Sequence, residues 1–379
     1  MRRLLIAAII LMSGCFADGQ QVSPQELFHE AEQAQQGGDN ALALKKYQQL
    51  VRLHPEIVAA HANLGVVLAS LGRYDEAIAE YRLALHQAPN TPLLVLNLGL
   101  AYYKKHDFAG AADQFALLHQ QDSNDIRVAT LLSDCDVQLG RPEQAVSILE
   151  PLEKTNADNL DLDWVLGKAL IGSGHHLEGV ARVQKVAEKR DSQEAYQLAA
   201  QSYLSLTFFA EAKRDAEALL HLNPKSSAAY TILGMIADYA GNAKTAAENY
   251  RKALELNPKE SDLRIHLASA LIDSGDLKAA RQQLKQTLES QPNSSGALYH
   301  LARIEKAQGN ATAALSDLEA AEHRDPQWLS PHIELAALYY RLKRPADGDR
   351  EKAIVDQLRE QERKRRAEAH VITPQVHPQ

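Results

Sequence analysis

The chain has 379 residues, of which 45% are hydrophobic and 24% charged, and its net charge at neutral pH is −8. This composition is typical of a globular protein with enough apolar residues for a large core. The acidic balance argues against a nucleic-acid partner, because proteins that bind nucleic acid normally carry a basic surplus.

The first 17 residues have the pattern of a secretory signal. Arg2 and Arg3 form a short basic start, and residues 4–12 are an unbroken apolar run of nine. That run is too short to span a bilayer, which needs about 20 residues. We therefore expect residues 1–17 to be a signal peptide and residues 18–23 a short linker that precedes the fold.

Two cleavage sites compete within this signal. Residues 12–15, Met-Ser-Gly-Cys, resemble a bacterial lipobox, in which Cys15 is lipidated and becomes the new N-terminus, although Met12 is a poorer match than an aliphatic residue. The alternatives are ordinary cleavage after Ala17 and an uncleaved anchor. Either cleavage leaves Cys135 as the one internal cysteine, so no internal disulfide can form. We expect Cys135 to pack as a small apolar residue.

Beyond residue 23 the sequence repeats with a period of 34 residues. Prolines mark this period at Pro55, Pro89, Pro224, Pro258, Pro292 and Pro326. Successive units start at Pro24, Val58, Pro92, Ile126, Leu160, Gln193, Ser227, Ser261, Ser295 and Leu329, and the fifth is one residue short. Positions 8 and 20 of every unit hold Gly, Ala or Ser.

Each unit predicts two helices of about 13 residues, because apolar residues recur at helical spacing in both halves. Small residues at positions 8 and 20, such as Gly65 and Ala77, allow the two backbones to cross closely. Bulky residues at position 24, such as Tyr81, are expected to fill the space toward the next hairpin. Glycine at position 15 of seven units, such as Gly72, supplies a left-handed turn, and the proline at position 32 stops the second helix.

The same positions resemble the tetratricopeptide repeat (TPR) signature. The resemblance is carried by the pairs Leu64-Gly65, Leu98-Gly99, Leu166-Gly167 and Leu233-Gly234, and by Tyr102, Ala77, Tyr81, Ala84 and Pro89. It covers roughly residues 24–362 and implies an all-α, right-handed superhelical solenoid of about ten helical hairpins with a C-terminal capping helix. We expect the array at residues 24–348, the last helix and charged cap at 349–369, and a disordered tail at 370–379.

The resemblance also implies which residues face the concave side: those at positions 2, 5, 9, 12 and 13 of each first helix. The candidate protein-binding groove therefore comprises Leu93, Leu96, Leu100, Tyr103, Trp164, Lys168, Met235, Tyr239, Tyr299, Arg303, Lys306, Tyr340 and Arg341. Aromatic and arginine side chains are the usual anchors of protein interfaces. The alternative for each residue is that it packs against a neighbouring helix. The paired lysine and asparagine of a carboxylate clamp are not seen.

Catalytic and metal-binding motifs are not seen in the sequence. His175 and His176 are adjacent, so they do not share a helix face, and we expect both in an exposed turn. The basic run at residues 363–366 stands among glutamates and favours a solvated capping helix over a basic docking patch. The array occupies nearly the whole chain, so we expect no enzyme, no cofactor and no metal.

The leading hypothesis is a non-enzymatic protein-binding scaffold or adaptor of the bacterial cell envelope, which assembles a multiprotein complex through its concave groove. The expected location is the periplasmic face, with a lipid anchor in the outer membrane, or alternatively the periplasm or the medium as a soluble protein. Its partners would be proteins or peptides, and membrane contact would come through the N-terminal lipid. The alternative function is a regulatory subunit of a neighbouring envelope enzyme, either a protease or a glycosyltransferase.

Overall fold

The computed structural model describes the backbone of residues 23–372 and the side chains of residues 23–365. Within that range every regular element is an α-helix, which confirms the predicted all-α class. The chain divides into two compact units, Met1–His175 and His176–Gln379. The signal segment with Cys15, most of the linker and residues 373–379 lie outside the described residues.

The first unit is built from helices that follow one another as antiparallel-type hairpins joined by short turns. Its helices are α1 (Pro24–Gln36), α2 (Asn40–Leu53), α3 (Val58–Ser70), α4 (Tyr74–Gln87), α5 (Pro92–Lys104), α6 (Phe108–Gln121), α7 (Ile126–Gln138), α8 (Pro142–Glu153) and α9 (Leu160–Gly172). The odd-numbered helices begin at the residues where the repeat places the start of units one to five.

The second unit continues the same alternation of helices. Its helices are α10 (His176–Arg190), α11 (Gln193–Ser205), α12 (Phe209–Leu222), α13 (Ser227–Tyr239), α14 (Ala243–Leu256), α15 (Ser261–Asp273), α16 (Leu277–Ser290), α17 (Ser295–Ala307), α18 (Ala311–Arg324), α19 (Leu329–Arg341) and α20 (Pro345–Ile372). Here too, the first helix of each predicted repeat from the sixth onward begins at the predicted start.

The turn inside each hairpin depends on a left-handed residue at position 15. Gly72 has a φ of +73°, a conformation in which glycine carries no steric penalty. Three repeats that lack glycine there force another residue into the same conformation: His106, Thr207 and Lys343 have φ values of +64°, +63° and +58°. The hairpin therefore imposes the left-handed conformation on position 15, whichever residue stands there.

The two helices of a hairpin interlock through positions 8 and 24. A Cβ atom built on Gly99 of α5 would lie 2.6 Å from Cε1 of Phe115 in α6, and one on Gly65 would lie 2.6 Å from Cε1 of Tyr81. Phe115 and Tyr81 are both buried. The expectation that position 24 points toward the next hairpin is therefore incomplete, because the ring lies on the first helix of its own hairpin.

Position 4 of some first helices connects the second helix of its own hairpin with the end of the preceding repeat. Nδ1 of the buried His332 lies 2.7 Å from Oε2 of Glu351 on α20, and its Nε2 lies 3.0 Å from the carbonyl oxygen of Pro326. The same arrangement joins His61 to Glu80 and Pro55. The proline turn at position 32 thus ends one hairpin and also supplies an acceptor to the next.

The last helix, α20, differs from the predicted domain boundaries. It runs without a break from Pro345 to Ile372, so no boundary at residue 348 separates the array from its cap, and the helix extends three residues into the segment expected to be a disordered tail. Val355 and Leu358 bury one face of it. Arg363 and Arg365 lie exposed beside Glu360 and Glu362, at 3.4 and 3.2 Å.

Candidate protein-binding site

The thirteen candidate groove residues lie on first helices of the hairpins, and none of them is buried. They are distributed over α5, α9, α13, α17 and α19. Among the hydrophobic and aromatic candidates, Leu93 and Tyr239 are the most exposed, at 64% and 65%, and Tyr340 follows at 43%. The others are half-buried, except for Arg341, which is exposed. Each half-buried side chain is therefore partly open to solvent and partly covered by neighbouring residues.

In the first unit, Asp134 of α7 connects two of these candidates, and a third contacts one of the two. Its Oδ1 accepts a hydrogen bond of 2.5 Å from Nζ of Lys168 on α9, and its Oδ2 accepts one from the hydroxyl of Tyr103 on α5. Lys168 also lies 5.1 Å from the centre of the Trp164 ring. Burial, reinforced by the bond to Asp134, raises the pKa of the Tyr103 hydroxyl. Three successive first helices are thereby linked across their exposed faces.

The residue types expected at binding grooves, aromatic residues and cations, do not include Asp134. It stands at position 9 of its repeat, and Lys168 stands at position 9 of the next. Opposite charges exactly one period apart on first helices would have been a usable signal, because consecutive repeats place equivalent positions side by side.

Two candidate cations of the second unit, Arg303 and Lys306, are also paired with carboxylates of adjacent repeats. Nη2 of Arg303 on α17 donates to Oδ1 of Asp273 on α15 at 2.5 Å, and its Nη1 donates to Oγ of Ser269 at 3.0 Å. Lys306 pairs with Glu334 of α19. These cations stabilise the contact between repeats, so a ligand would have to compete for them. Their charge alone does not make them binding anchors.

Two aromatic candidates in the last repeats also contact their own chain. The ring of Tyr299 packs 4.7 Å from that of Trp328, which immediately precedes α19. The hydroxyl of Tyr340 donates to Oδ1 of Asp349 at 2.6 Å, and its ring lies over Gly348. Each of the two residues is therefore partly open to solvent and also packs against its own chain.

Met235 and Tyr239 of α13 line an open cavity of about 580 Å³ in the second unit. We call this cavity the α13 groove. Its walls come from α11, α13 and α15 and from the turn before α15, and include Leu204, Ile232, Met235, Tyr239, Glu260, Asp262 and Leu263. A smaller cavity of about 340 Å³ shares Met235, Tyr239 and His266 with it and adds Asp238 and Tyr250.

Asp238 adds a carboxyl group to the smaller cavity. Burial raises its pKa, while the hydroxyl of Tyr250, which donates to its Oδ2 at 2.7 Å, acts in the opposite direction. Asp238 stands at position 12 and Asp262 at position 2 of their repeats, and both are positions expected to face the concave side. The sequence therefore indicated both residues as groove candidates. Glu260 lies in the turn before α15, where the register makes no prediction.

The structure places the cysteine and the two adjacent histidines that could have carried chemistry. Cys135 is fully buried and burial raises the pKa of its thiol to about 12, which confirms that it packs as an apolar residue. His175 lies in the predicted turn, but His176 is the first residue of α10, which corrects the prediction that both are turn residues.

Among the described residues, no three His, Cys, Asp or Glu side chains are grouped to hold a metal ion. None of the described helices is both long and apolar enough to cross a membrane.

Three segments of the chain match family models. Residues 29–92 and 102–162 match models described as tetratricopeptide repeat, and residues 214–327 match the model described as cytochrome c-type biogenesis protein H TPR domain. These segments fall in both compact units, and residues 214–327 include α13 and α15 but not the α11 side of the α13 groove.

Similar proteins share parts of the array. A segment of 74 residues is 35% identical to the photosystem I assembly protein Ycf3 of Synechococcus sp. strain CC9605, over 19% of this chain and 43% of that protein. Another of 102 residues is 31% identical to the Vi polysaccharide export protein VexE of Salmonella typhi, over 26% of this chain and 16% of VexE. The matches thus span less than half the length of either relative.

A solved structure shows the same fold. The tetratricopeptide repeat protein of Parabacteroides merdae aligns with a TM-score of 0.50 and 17% identity over 65% of this chain and 98% of that one. Together with the 34-residue register, the helical hairpins that begin on it and the three family models, this shows that the chain belongs to the tetratricopeptide repeat family.

Proposed function

We propose that this chain is a non-enzymatic scaffold or adaptor of the bacterial cell envelope, which assembles a multiprotein complex by binding partner segments in the groove of its first helices. The observation that carries the proposal is the α13 groove. It is open to solvent, it is built from three successive first helices, and its floor is apolar. Those are the features of a surface that accommodates another chain.

The TPR fold supports protein–protein interaction in general, and proteins of this fold are typically non-catalytic. The groups with the largest pKa shifts here have structural explanations that agree with such a role. Burial within the hairpins raises the pKa of the Tyr250 hydroxyl and of the Cys135 thiol. Tyr250 also forms the position-24 contact with Gly234. Perturbed groups in this array therefore follow from repeat packing.

A role in complex assembly is supported by what the relatives are called. Ycf3 is a photosystem I assembly protein, VexE is a polysaccharide export protein, and the model that covers α13 is that of a cytochrome c-type biogenesis protein. The envelope location of this chain rests on its own sequence, through the basic start, the apolar run and the lipobox-like residues that end in Cys15.

Photocrosslinking from a single position tests the proposal. A photoreactive amino acid is placed at Tyr239, which lines the α13 groove and is 65% exposed, and the full chain is produced in its native host. The control carries it at Leu117, a 48% exposed residue of the second helix α6. We expect discrete covalent adducts with other envelope proteins from position 239 only. Adducts of equal number and yield from both positions, or none from 239, would refute the groove as a binding site.

A further inference from the structure

The α13 groove has an apolar floor and an open wall. Leu204, Ile232 and Leu263 are buried beneath it, while Met235 is half-buried and Tyr239 is 65% exposed. The ring of Tyr239 packs at 5.1 Å from that of Phe209. A side chain entering the groove would therefore contact aliphatic and thioether carbon atoms below and an aromatic ring at one side.

The charges of the groove have a single sign. Glu260 and Asp262 lie in its wall, and the described residues that line the cavity include no lysine or arginine. Within the part of the chain that the structure describes, neither carboxylate forms an ion pair; Glu260 accepts only a hydrogen bond of 3.2 Å from the Asn257 side chain. Both carboxylates are exposed and available to a ligand.

The nearest cations in the sequence face elsewhere. Lys259 and Arg264 line a separate cavity together with Gln286 of α16. Arg264 is held there, because its guanidinium donates to the carbonyl of Pro258 at 2.6 Å and to Oε1 of Gln286 at 2.9 Å. The segment around the start of α15 thus presents its carboxylates to the groove and its cations to the opposite side.

A third carboxyl group lies toward the other end of the first helices. Asp238 stands at position 12 of α13, whereas Asp262 stands at position 2 of α15. Ten residues of helix correspond to about 15 Å along the axis, which an extended peptide covers with about five residues. A bound segment of that length would meet carboxylates near both ends and the apolar floor between them.

We propose that the occupant of the α13 groove is an extended segment of a partner protein in which an apolar side chain is flanked by lysine or arginine. The apolar side chain fills the space beside Met235 and Leu263, and the cations pair with the wall carboxylates. The same charges disfavour acidic segments and C-terminal carboxylates. This assignment rests on the proposed function, since it names the chemistry of the partner that the groove receives.

Selection from a random library of peptides about twelve residues long, enough to exceed the groove in extended form, tests the assignment on the full chain. The variant is Glu260→Gln with Asp262→Asn, which removes two charges with little change of shape. The matched control is Glu248→Gln with Glu255→Gln, which removes two charges from exposed positions on the second helix α14.

We expect peptides selected on the wild type and on the control to be enriched in lysine and arginine around a large apolar residue, and that cationic enrichment to disappear on the variant. For one selected peptide, the variant should weaken binding about three- to tenfold at low salt, as expected for two partly exposed ion pairs. The difference should shrink at high salt.

Three results would overturn the assignment: no selected peptides, equal cationic enrichment on wild type and variant, or a wild-type dimer that the variant converts to a monomer. The last result would assign the groove to a second copy of the chain. Crosslinking from position 239 remains independent of these outcomes. If it succeeds while cationic enrichment is absent, the groove binds proteins by another chemistry and only the present inference fails.

Discussion

Positions 8 and 24 set how closely the two helices of a hairpin approach each other. Where position 8 is Gly65 or Gly99, a ring lies directly on it, and a Cβ atom there would be 2.6 Å from a ring carbon. Where position 8 is Ala268, its position-24 partner is the smaller Leu284. The sequence predicted small residues at position 8, but the direct contact of Gly65 and Gly99 with a ring became evident only from the distances.

A double-mutant cycle at Gly99 and Phe115 tests this contact. Alanine is favoured over glycine inside a helix by about 1 kcal/mol, so Gly99→Ala would stabilise the protein if there were room. We expect instead a loss of about 1–3 kcal/mol in the free energy of unfolding, as in overpacked cores. Phe115→Leu should recover part of it, with a coupling of about 0.5–3 kcal/mol. Urea unfolding followed by circular dichroism measures the cycle, and strictly additive changes would contradict the contact.

His300 should make the second unit sensitive to acid. Burial, together with the charge of Arg303, whose Nη1 lies 3.1 Å from its Nδ1, lowers the pKa of His300 from 6.5 to about 3. The unfolded chain therefore binds the proton more readily, and the stabilisation is present above pH 6.5 and is lost as the pH falls from 6.5 toward 3.

The measurement is the melting temperature as a function of pH for wild type, His300→Gln and the control His323→Gln. His323 is exposed on α18. We expect a shallower loss of stability on acidification in His300→Gln, because glutamine does not titrate and can still accept from Arg303. Parallel curves for wild type and His300→Gln would show that His300 is not a source of the pH dependence.

At the scale of single helices, the sequence predicts starts better than lateral contacts. Helix starts depend on local chemistry, as at Ser226, whose side chain accepts from the backbone N–H of Ala229 at 3.2 Å to cap α13. Contacts between first helices depend on residues about one repeat apart, such as Asp134 with Lys168. Periodicity indicates which face such residues occupy but does not identify their partners.

The hairpin turn gives a direct prediction. Thr207 is β-branched and has a φ of +63°, a conformation that costs a non-glycine residue about 1–3 kcal/mol. Glycine avoids that strain but loses about 0.5–1 kcal/mol through the entropy of the unfolded chain. We expect Thr207→Gly to raise the free energy of unfolding by roughly 1 kcal/mol. The reference is His106→Gly, with a smaller gain because histidine tolerates this region better; a destabilised Thr207→Gly would refute strain at the turn.

At the scale of the whole molecule, the repeat predicted the class of fold and the helices that form the groove. It could not predict which groove residues are free, because Arg303 and Lys306 are matched by acidic residues of neighbouring repeats. Nor could it identify Glu260, which belongs to a turn. An open groove surface whose charges all have one sign is formed by several repeats together. The position of a residue within one repeat therefore does not predict such a surface.

Anchoring in the envelope is a separate property of the whole chain. If Cys15 is lipidated, Cys15→Ser should either release the chain from the membrane fraction or leave an uncut precursor. Fractionation and metabolic labelling with a fatty acid measure this. Equal labelling of wild type and Cys15→Ser would exclude Cys15 as the lipid attachment site, and the groove hypothesis would be unaffected.

The central claim is that the α13 groove binds a partner protein, and the affinity of groove variants for that partner tests it most directly. The partner is the protein that crosslinks from position 239, and the variants are Met235→Ala with Tyr239→Ala, compared with Leu117→Ala on α6. Anchor residues typically contribute about 2 kcal/mol or more, so we expect the dissociation constant to rise about thirtyfold or more in the groove variant and to stay unchanged in the control. If both variants remain folded by circular dichroism and bind as tightly as the wild type, the account is contradicted.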